Sequence, residues 1–356
     1  MSEFSHTPDE NQSLFPFMGE VPVARPGYRV GIVGASGAVG GTLLRVLKER
    51  EIPIKELRVF ASAASRGKWL ESPFGPLLLE QLSKRRMPGL DFVFFAAGTD
   101  IARNWAWKFV HRGATVIDKS PYFRDKAYAP LIVPEVNGDQ IEAHRGIVSN
   151  PNCTVVPLMT ALNPLHMKYE LRHVTAVTFQ SVSGAGKKGI RALGREIADN
   201  EAEPTGFSHR IAYNVIPWIG SPKEFHSGEE VKLAAESRRI LRLPRLSIQA
   251  TCVRVPTLVG HGLAVHVEFR KRVAVEAARE ILANVPGVEL IDDSLHSEYP
   301  TPLRAAGNDA VYIGRLRRDR GQTGLAMFIV TDNLRKGAAT NAVQIAELLI
   351  SKTTTR

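Results

Sequence analysis

The chain has 356 residues, of which 44% are hydrophobic and 23% charged, a composition typical of a protein with a sizeable core in one or two domains. Two cysteines are too few for a disulfide framework, so we expect a reduced, cytoplasmic protein. The chain has no long apolar run, so we expect that it does not enter a membrane. A net charge of +10 favours binding of a negatively charged partner, either nucleic acid or small anions. The basic residues are scattered and no aromatic residues lie between them, so we expect no nucleic-acid partner.

The first segment, residues 1–28, is polar, contains prolines and has no hydrophobic periodicity. Such a composition predicts a poorly ordered extension. Its acidic residues argue against an organellar transit peptide, which is usually poor in acids.

The next segment, "YRVGIVGASGAVGGTLLRVLKER", has the pattern of a strand, a glycine turn and an amphipathic helix. Glycines spaced three apart allow the backbone to approach a pyrophosphate, and the helix start offers N–H groups to it. We therefore predict a dinucleotide-binding turn. Its contacts would come from Gly34, Ser36, Gly37, Ala38 and Val39.

The second predicted strand, "ELRVFAS", indicates which dinucleotide is bound. A site for NAD usually has an acidic residue after this strand to bind the ribose hydroxyls. Here the strand is followed by Ser62, Ser65 and Arg66 with no acid. Hydroxyls and a guanidinium suit a 2′-phosphate, so we predict NADP. The alternative is an ordinary basic loop.

Two more apolar runs, 90–98 and 114–120, flank a helical pattern at 101–112. This alternation predicts a Rossmann-like, doubly wound parallel sheet, whose ligand crevice lies at the carboxyl ends of its strands. The short run "GIVSN" ends in the same way and is followed by Cys153. The cysteine is therefore expected at the crevice.

Cys153 stands between a turn, "SNPN", and a predicted helix start at Thr154. A helix N-terminus lowers the pKa of a thiol, so we predict that Cys153 is a nucleophile. Cys252 lies in an alternating strand pattern, which predicts a buried, inert thiol. A reactive cysteine beside a nicotinamide indicates attack on an aldehyde or an activated acyl group, with hydride transfer at the same carbon.

Several motifs together carry a family resemblance: "VGASGAVG", "VIDKSPYFRDKAYAPLIVPEVN", "SNPNCTVVPL", "QSVSGAGKKGI", "EEVKLAAESRRIL", "ATCVRVPTLVGHGLAVHVE" and "VTDNLRKGAATNAVQIAELL". In this order the chain, over about residues 29–350, closely resembles aspartate-β-semialdehyde dehydrogenases. The resemblance implies NADPH-dependent reductive dephosphorylation of aspartyl phosphate to aspartate semialdehyde. This reaction belongs to the biosynthesis of lysine, methionine, threonine and diaminopimelate.

The resemblance also implies roles for single residues. Cys153 would form an acyl thioester, Gln180 would orient the substrate, and His261 would take the thiol proton and later protonate the sulfur. Cofactor contacts would come in addition from Ser183, Gly184 and Asn333.

The substrate would be held by charged residues. Arg254 would bind its α-carboxylate and Glu229 its ammonium group, while Lys232 and Arg124 would bind the phosphate. From spacing alone, Glu229 and Lys232 are an ordinary solvated pair and His261 a structural residue. No metal site is predicted.

The family's architecture implies a cofactor domain (29–152 and 333–356) around a catalytic and dimerisation domain (153–332) with a largely antiparallel mixed sheet. It implies a homodimer, with a tetramer as the alternative. Two other functions stay open. One is a sister acyl-phosphate reductase such as N-acetylglutamyl-phosphate reductase, against which Glu229 argues, and the other is a paralogue without catalytic activity.

Overall fold

The computed structural model describes residues 27–319 and 321–354. The predicted extension lies almost wholly outside this part of the chain. The first strand begins at Tyr28, a residue that we had included in the extension.

The first sheet has seven strands in the order β3-β4-β2-β1-β5-β6-β7. All neighbours are parallel except β3, which pairs antiparallel with β4. The reversal of strand order on either side of β1 is the doubly wound arrangement that the alternating pattern predicted. The strands are β1 (Tyr28–Val33), β2 (Ile54–Ala61), β3 (Trp69–Leu70), β4 (Leu77–Gln81), β5 (Phe92–Phe95), β6 (Thr115–Asp118) and β7 (Ile147–Ser149).

Amphipathic helices cover this sheet on both faces. Helices α1 (Ala38–Glu49) and α9 (Thr340–Thr354) pack against each other on one face, and α2 (Thr99–Val110) lies on the other. The apolar face of α1 buries Leu43, Leu44 and Leu47, as the helical spacing predicted. Because α9 comes from the end of the chain, the cofactor-binding half is discontinuous in sequence.

The second sheet has six strands in the order β11-β8-β12-β15-β14-β13. The pairs β11–β8 and β13–β14 are parallel and the others antiparallel, which is the mixed sheet that we predicted. The strands are β8 (Leu171–Gln180), β11 (Ser247–Arg254), β12 (His261–Phe269), β13 (Val288–Leu290), β14 (Val311–Arg318) and β15 (Gly324–Thr331). A separate hairpin joins β9 (Pro222–Lys223) to β10 (His226–Ser227).

One large core lies between the second sheet and its helices. It is built around α4 (Val155–Tyr169), α6 (Gly228–Leu241) and α7 (Val275–Ala283). The remaining helices are α3 (Pro134–Asn137), α5 (Gly186–Ala198) and α8 (Pro302–Ala305), and a π-helix (Arg335–Ala339) precedes α9.

Each of the two sheets packs on a large hydrophobic core, and the core of the second sheet also includes Leu131 and Val133. We propose a cofactor domain of residues 29–152 and 333–356 around a catalytic domain of residues 153–332. Within the described residues, no helix combines the length and the apolar character needed to cross a bilayer.

Candidate active site

The glycine turn lies between β1 and α1, as predicted. Gly34 has a φ of +90°, and a Cβ atom there would lie 2.8 Å from the Ala96 carbonyl oxygen, so only glycine fits this position. The Gly37 N–H donates to the Gly34 carbonyl, and Gly37 caps the start of α1. The turn therefore leaves the N–H groups of the first turn of α1 open toward a ligand.

A cavity of about 580 Å³ lies beside this turn. Its lining includes Gly37 and Ala38 from the turn, Arg45 from α1 and Lys187 from α5. The cavity therefore lies between the two predicted domains and presents cations to an anionic ligand. This fits a dinucleotide pyrophosphate, so the residues present are suited to the predicted cofactor.

The predicted 2′-phosphate residues follow β2 at the carboxyl end of the strand. Ser62 caps a 3-10 turn that contains Ser65, and Arg66 ends it. Arg66 does not line the cavity at the glycine turn but a second cavity of about 550 Å³ beside Leu78 and Glu80. The structure thus places the three residues at the correct edge of the sheet.

Cys153 lies in the loop between β7 and α4. The loop is fixed to the sheet because the Asn150 N–H donates to the Asp118 carbonyl at the end of β6. Gly337 of the π-helix packs on Cys153 so closely that a Cβ atom at residue 337 would lie 3.0 Å from the Cys153 Cβ. The half-buried cysteine therefore stands at the carboxyl edge of the parallel sheet, where the fold binds its ligands.

The charges around the Cys153 thiol oppose each other. Burial raises the pKa of the thiol and the Glu229 carboxylate adds to this increase, whereas Lys119, Arg254 and Arg124 act against it. The prediction of a lowered pKa is wrong for the free protein, because the loss of hydration outweighs the nearby positive charges. In contrast, Cys252 is fully buried in β11 with a pKa raised to about 12, as expected for an inert thiol.

Glu229 connects two of the predicted site residues, Gln180 and Lys232, with Asn152. Its Oε1 accepts hydrogen bonds from Asn152 Nδ2 at 2.8 Å and from Gln180 Nε2 at 3.1 Å, and Lys232 Nζ lies 3.5 Å from its Oε2. Burial acts to raise the pKa of Glu229, but Lys232 and the two amide donors hold it below its ordinary value. A buried carboxylate that stays ionised is suited to bind an ammonium group.

His261 begins β12 and is completely buried next to Arg254, which ends β11. The backbone N–H of Ser181 donates to His261 Nδ1 at 3.1 Å. Because a backbone N–H can only donate, this contact favours the tautomer with the proton on Nε2, which is buried without a partner among the described residues. Burial, followed by Arg254, lowers the pKa of His261 well below its ordinary value, although the Gly260 carbonyl acts the other way.

The predicted role of His261 as the group that takes the thiol proton stays a prediction, and this tautomer favours a different one. A neutral ring with the proton on Nε2 cannot accept the thiol proton at that atom, but it can donate a hydrogen bond from it. Gly184 of the neighbouring loop packs closely on this pair, since a Cβ atom at Gly184 would lie 3.3 Å from His261 Nε2 and 2.7 Å from Arg254 Nη1.

Asn333 joins the loops around the histidine. Its Oδ1 accepts hydrogen bonds from the Ser181 and Ser183 hydroxyls and from the Gly260 N–H, and its Nδ2 donates to Ser183 Oγ. Because Ser181 also contacts His261, these bonds fix the position of the imidazole.

Arg124 is buried and already bound by protein groups. Its Nη1 donates to Glu236 Oε1 at 2.8 Å and its Nη2 to the Lys119 carbonyl at 2.6 Å, while Nε has no partner among the described residues. Glu236 also accepts from the Asn152 N–H at 2.7 Å. One carboxylate of α6 therefore connects Arg124 with the loop that carries Cys153.

Comparisons with known proteins identify the family of this chain. A model of the NAD binding domain of semialdehyde dehydrogenases matches residues 29–144, and a model of their dimerisation domain matches residues 162–336. The aspartate-semialdehyde dehydrogenase of Aquifex aeolicus is 42% identical over 336 residues, which cover 92% of this chain and 99% of that protein. This chain belongs to the aspartate-semialdehyde dehydrogenase family. The Streptomyces akiyoshiensis enzyme is also 42% identical, over 91% of this chain and 99% of its own length.

Solved structures of the family have the same fold. The crystal structure of aspartate semialdehyde dehydrogenase II from Vibrio cholerae complexed with ASA has a TM-score of 0.88 at 38% identity and covers 92% of this chain and 99% of that chain. The predicted family, fold class, enzyme class and nicotinamide cofactor are thereby confirmed. The matching dimerisation domain supports the predicted homodimer.

The aspartate-semialdehyde dehydrogenase motifs did not reveal every residue that the structure brings to the site. Lys119, Asn152, Ser181 and Glu236 all contact or act on predicted site residues. Lys119, Asn152 and Ser181 are adjacent in sequence to an element end or to a predicted residue, which was an available signal. Glu236 lies one full heptad after Glu229 on α6 and therefore close to the same helix face.

Proposed function

We propose that this protein carries out reductive dephosphorylation of L-aspartyl-4-phosphate to L-aspartate 4-semialdehyde with NADPH, through a thioester on Cys153. The observation that carries the proposal is the group of an ionised Glu229, its two amide donors and Arg254 around a half-buried thiol. An acid for an amine, a guanidinium for a carboxylate and a nucleophile together match the amino-acid end of this substrate.

The substrate is bound by side chains from α6, β11, β8 and the segment after β6. Glu229 accepts its ammonium group and Arg254 donates to its α-carboxylate, while Gln180 orients the acyl group next to the thiol. Lys232 and Arg124 face the phosphate. Arg124 keeps donors for it, since Nε has no partner among the described residues and each Nη has a second N–H besides the one bound to Glu236 or to the Lys119 carbonyl.

In the first step the Cys153 sulfur attacks the acyl carbon. A bond forms between Sγ and the carbon, the bond between the carbon and the phosphate oxygen breaks, and its electron pair leaves with the phosphate. The thiol proton ends on the departing phosphate, which leaves as monohydrogen phosphate, so no protein base must keep it. The developing charge on the acyl oxygen is met by the Nε2–H group of His261.

When bound by the residues of the glycine turn and the loops near Ser183 and Asn333, reduced nicotinamide would supply the hydride that brings the acyl carbon to the aldehyde level. The side chains then favour collapse: His261 continues to donate to the oxygen until the carbonyl reforms, and the sulfur leaves as a thiolate. A proton from solvent returns Cys153 to its starting state. His261 remains neutral throughout, which agrees with the direction of its pKa shift.

The residues proposed to hold the cofactor form two groups. The turn and the end of β2 supply Gly34, Ser36, Gly37, Ala38, Val39, Ser62, Ser65 and Arg66. The loops at the nicotinamide end supply Ser183, Gly184 and Asn333. The absence of an acid after β2 supports NADP over NAD.

The test is a phosphate-dependent assay of NADP reduction with aspartate semialdehyde, in the wild type and in Cys153→Ser. N-acetylglutamate semialdehyde and NAD serve as the alternative substrate and cofactor. We expect activity with aspartate semialdehyde and NADP, and loss of it in the variant. No activity with either aldehyde would reject both enzyme functions, whereas activity retained in Cys153→Ser would reject the thioester.

The oligomeric state is proposed as a homodimer, with the tetramer as the alternative. Light scattering on the purified protein measures the particle mass directly and separates the two.

A further inference from the structure

A cavity of about 290 Å³ opens onto Arg254, the residue proposed to bind the substrate carboxylate. Among the described residues that line this cavity, Arg254 is the only charged one, and most of the others are aromatic, aliphatic or glycine residues of the segment 206–220. A guanidinium in apolar surroundings attracts an anion strongly, because little water screens its charge. The segment 206–220 therefore determines the surroundings in which Arg254 binds.

Backbone hydrogen bonds fix this segment to β11. The Ile216 N–H donates to the Arg254 carbonyl at 2.9 Å, and the Arg254 N–H donates to the Ile216 carbonyl at 2.8 Å. Glu196 of α5 also holds the segment, since its Oε2 accepts from the Ile211 N–H at 2.7 Å and from the Ala212 N–H at 2.9 Å. These bonds set the position of the segment relative to Arg254.

Phe207 is the aromatic residue of this segment that contacts the guanidinium. Arg254 Cζ lies 5.8 Å from the centroid of the Phe207 ring, which is within the range of a cation–π interaction. Gly189 of α5 allows the ring to lie there, because a Cβ atom at residue 189 would come within 3.1 Å of Phe207 Cζ. The ring packs against a small apolar cluster formed by Val182, Leu193, Ile211, Ala212 and Ile216.

The Arg254 guanidinium makes few other contacts. Its Nη1 donates to the Ser181 carbonyl at 2.7 Å, and within the part of the chain that the structure describes it forms no other side-chain hydrogen bond and no ion pair. A guanidinium carries five N–H donors, so most of them remain available. An aromatic ring holds a guanidinium without using any of these donors. The Phe207 ring can therefore set the orientation of Arg254 and leave its N–H groups free for a carboxylate.

We propose that Phe207 is a positioning residue that holds the Arg254 guanidinium in the orientation in which it binds the substrate carboxylate. The inference deepens the proposed function and rests on it in that Arg254 binds this carboxylate. Phe207 would act through Arg254 and not on the reacting atoms. Loss of its ring should therefore weaken binding of the carboxylate and leave the chemical step almost unchanged.

The first experiment measures kcat and KM for aspartate semialdehyde with saturating NADP and phosphate. The variants are Phe207→Leu, which removes the ring but keeps an apolar side chain, and Phe207→Tyr, which keeps the ring. Phe225→Leu is the matched control, because Phe225 lies between β9 and β10, is 95% exposed and does not line the cavity. Phe207→Met replaces the leucine variant if that variant does not fold.

We expect the KM of Phe207→Leu to rise about fivefold with little change in kcat, which is the loss of affinity that follows from removing a cation–π interaction at a partly desolvated site. Phe207→Tyr and Phe225→Leu should keep the wild-type KM. A general structural defect would instead lower kcat, and the tyrosine variant would not separate from the leucine variant.

The second experiment needs no dehydrogenase activity. Alkylation of Cys153 by iodoacetamide is followed by mass spectrometry of the Cys153 peptide, in the presence of L-aspartate or of β-alanine, which is aspartate without its α-carboxylate. The L-aspartate concentration that halves the alkylation rate should be about fivefold higher in Phe207→Leu than in Phe225→Leu. Protection by β-alanine should be the same in both variants.

Equal KM values and equal protection by L-aspartate in Phe207→Leu and Phe225→Leu would overturn the proposal. It is also overturned if L-aspartate does not protect the wild type, or if Phe207→Leu loses protection by β-alanine as much as by L-aspartate. Absence of dehydrogenase activity together with the expected shift in L-aspartate protection would reject the proposed function and leave the role of Phe207 in place.

Discussion

Glu236 holds the candidate site together through one buried carboxylate, so its replacement by glutamine tests the structure sharply. Its two oxygens accept from Arg124 Nη1 and from the Asn152 N–H. The exposed fractions of the Arg124 and Glu236 side chains are only 8% and 5%. Glutamine offers a single acceptor oxygen, so Arg124 or the Asn152 N–H is left facing an N–H donor, and the guanidinium loses its counter-charge.

Breaking a buried ion pair by removing one partner costs about 3–5 kcal/mol. We therefore expect Glu236→Gln to lower the free energy of unfolding by that amount and to lower kcat, because Asn152 also orients Glu229. The matched control is Glu268→Gln, which removes the acid of the exposed Arg172–Glu268 pair, with exposed fractions of 63% and 42%. Such a surface pair contributes at most about 1 kcal/mol.

Urea unfolding measures both variants, and the midpoints are compared at an unchanged slope. The reasoning is refuted if Glu236→Gln loses no more stability than Glu268→Gln. It is also refuted if stability falls while kcat stays at the wild-type value, since Glu236 would then hold the core and not the Cys153 loop.

Three further predictions follow from the charges of the site. Burial raises the pKa of Asp118 to about 6. As pH rises from about 4 to 6, Asp118 ionises in the unfolded chain but not in the folded one, so the wild type should lose about 3 kcal/mol of stability. Urea unfolding of Asp118→Asn should lack this loss, and a variant with the same dependence of stability on pH as the wild type would contradict the assignment. Nitrogen-15 NMR of histidine-labelled protein, with His261→Gln to identify the signal, should show His261 neutral with its proton on Nε2, and a proton on Nδ1 would refute the donor role. Glu229→Gln should lower the pH midpoint of Cys153 alkylation, because the Glu229 charge raises the pKa of the thiol; a raised midpoint would argue against that contact.

The elements that could be predicted from the sequence are those with a strong local signal. The run from Tyr28 to Glu49 gives a strand, a turn and a helix because apolar spacing and glycines determine all three within one short segment. The mixed second sheet was likewise expected, but from the family resemblance and not from a local signal. The short pair β9 and β10 was not, since two residues per strand carry no periodicity.

The sequence predicted which residues form the site better than it predicted their pKa shifts and tautomers. The motifs brought Cys153, Gln180, Glu229, Arg254 and His261 to one place, but the predicted direction of the Cys153 pKa was wrong. A helix start can be predicted from the sequence, whereas the burial of Cys153 and the approach of Glu229 from α6 depend on the tertiary structure. The His261 tautomer is similar, because it depends on a backbone N–H 80 residues away in sequence.

The charges of the site also suggest why the free thiol is held protonated. Glu229 opposes ionisation of Cys153 and Lys119 favours it. When an ammonium group binds Glu229, the opposing charge is neutralised while Lys119 keeps its own. Ionisation of the sulfur then becomes easier in the presence of the amine that marks the correct substrate. A reactive thiolate is thereby confined to the complex in which it is used, which limits oxidation and alkylation of the free protein.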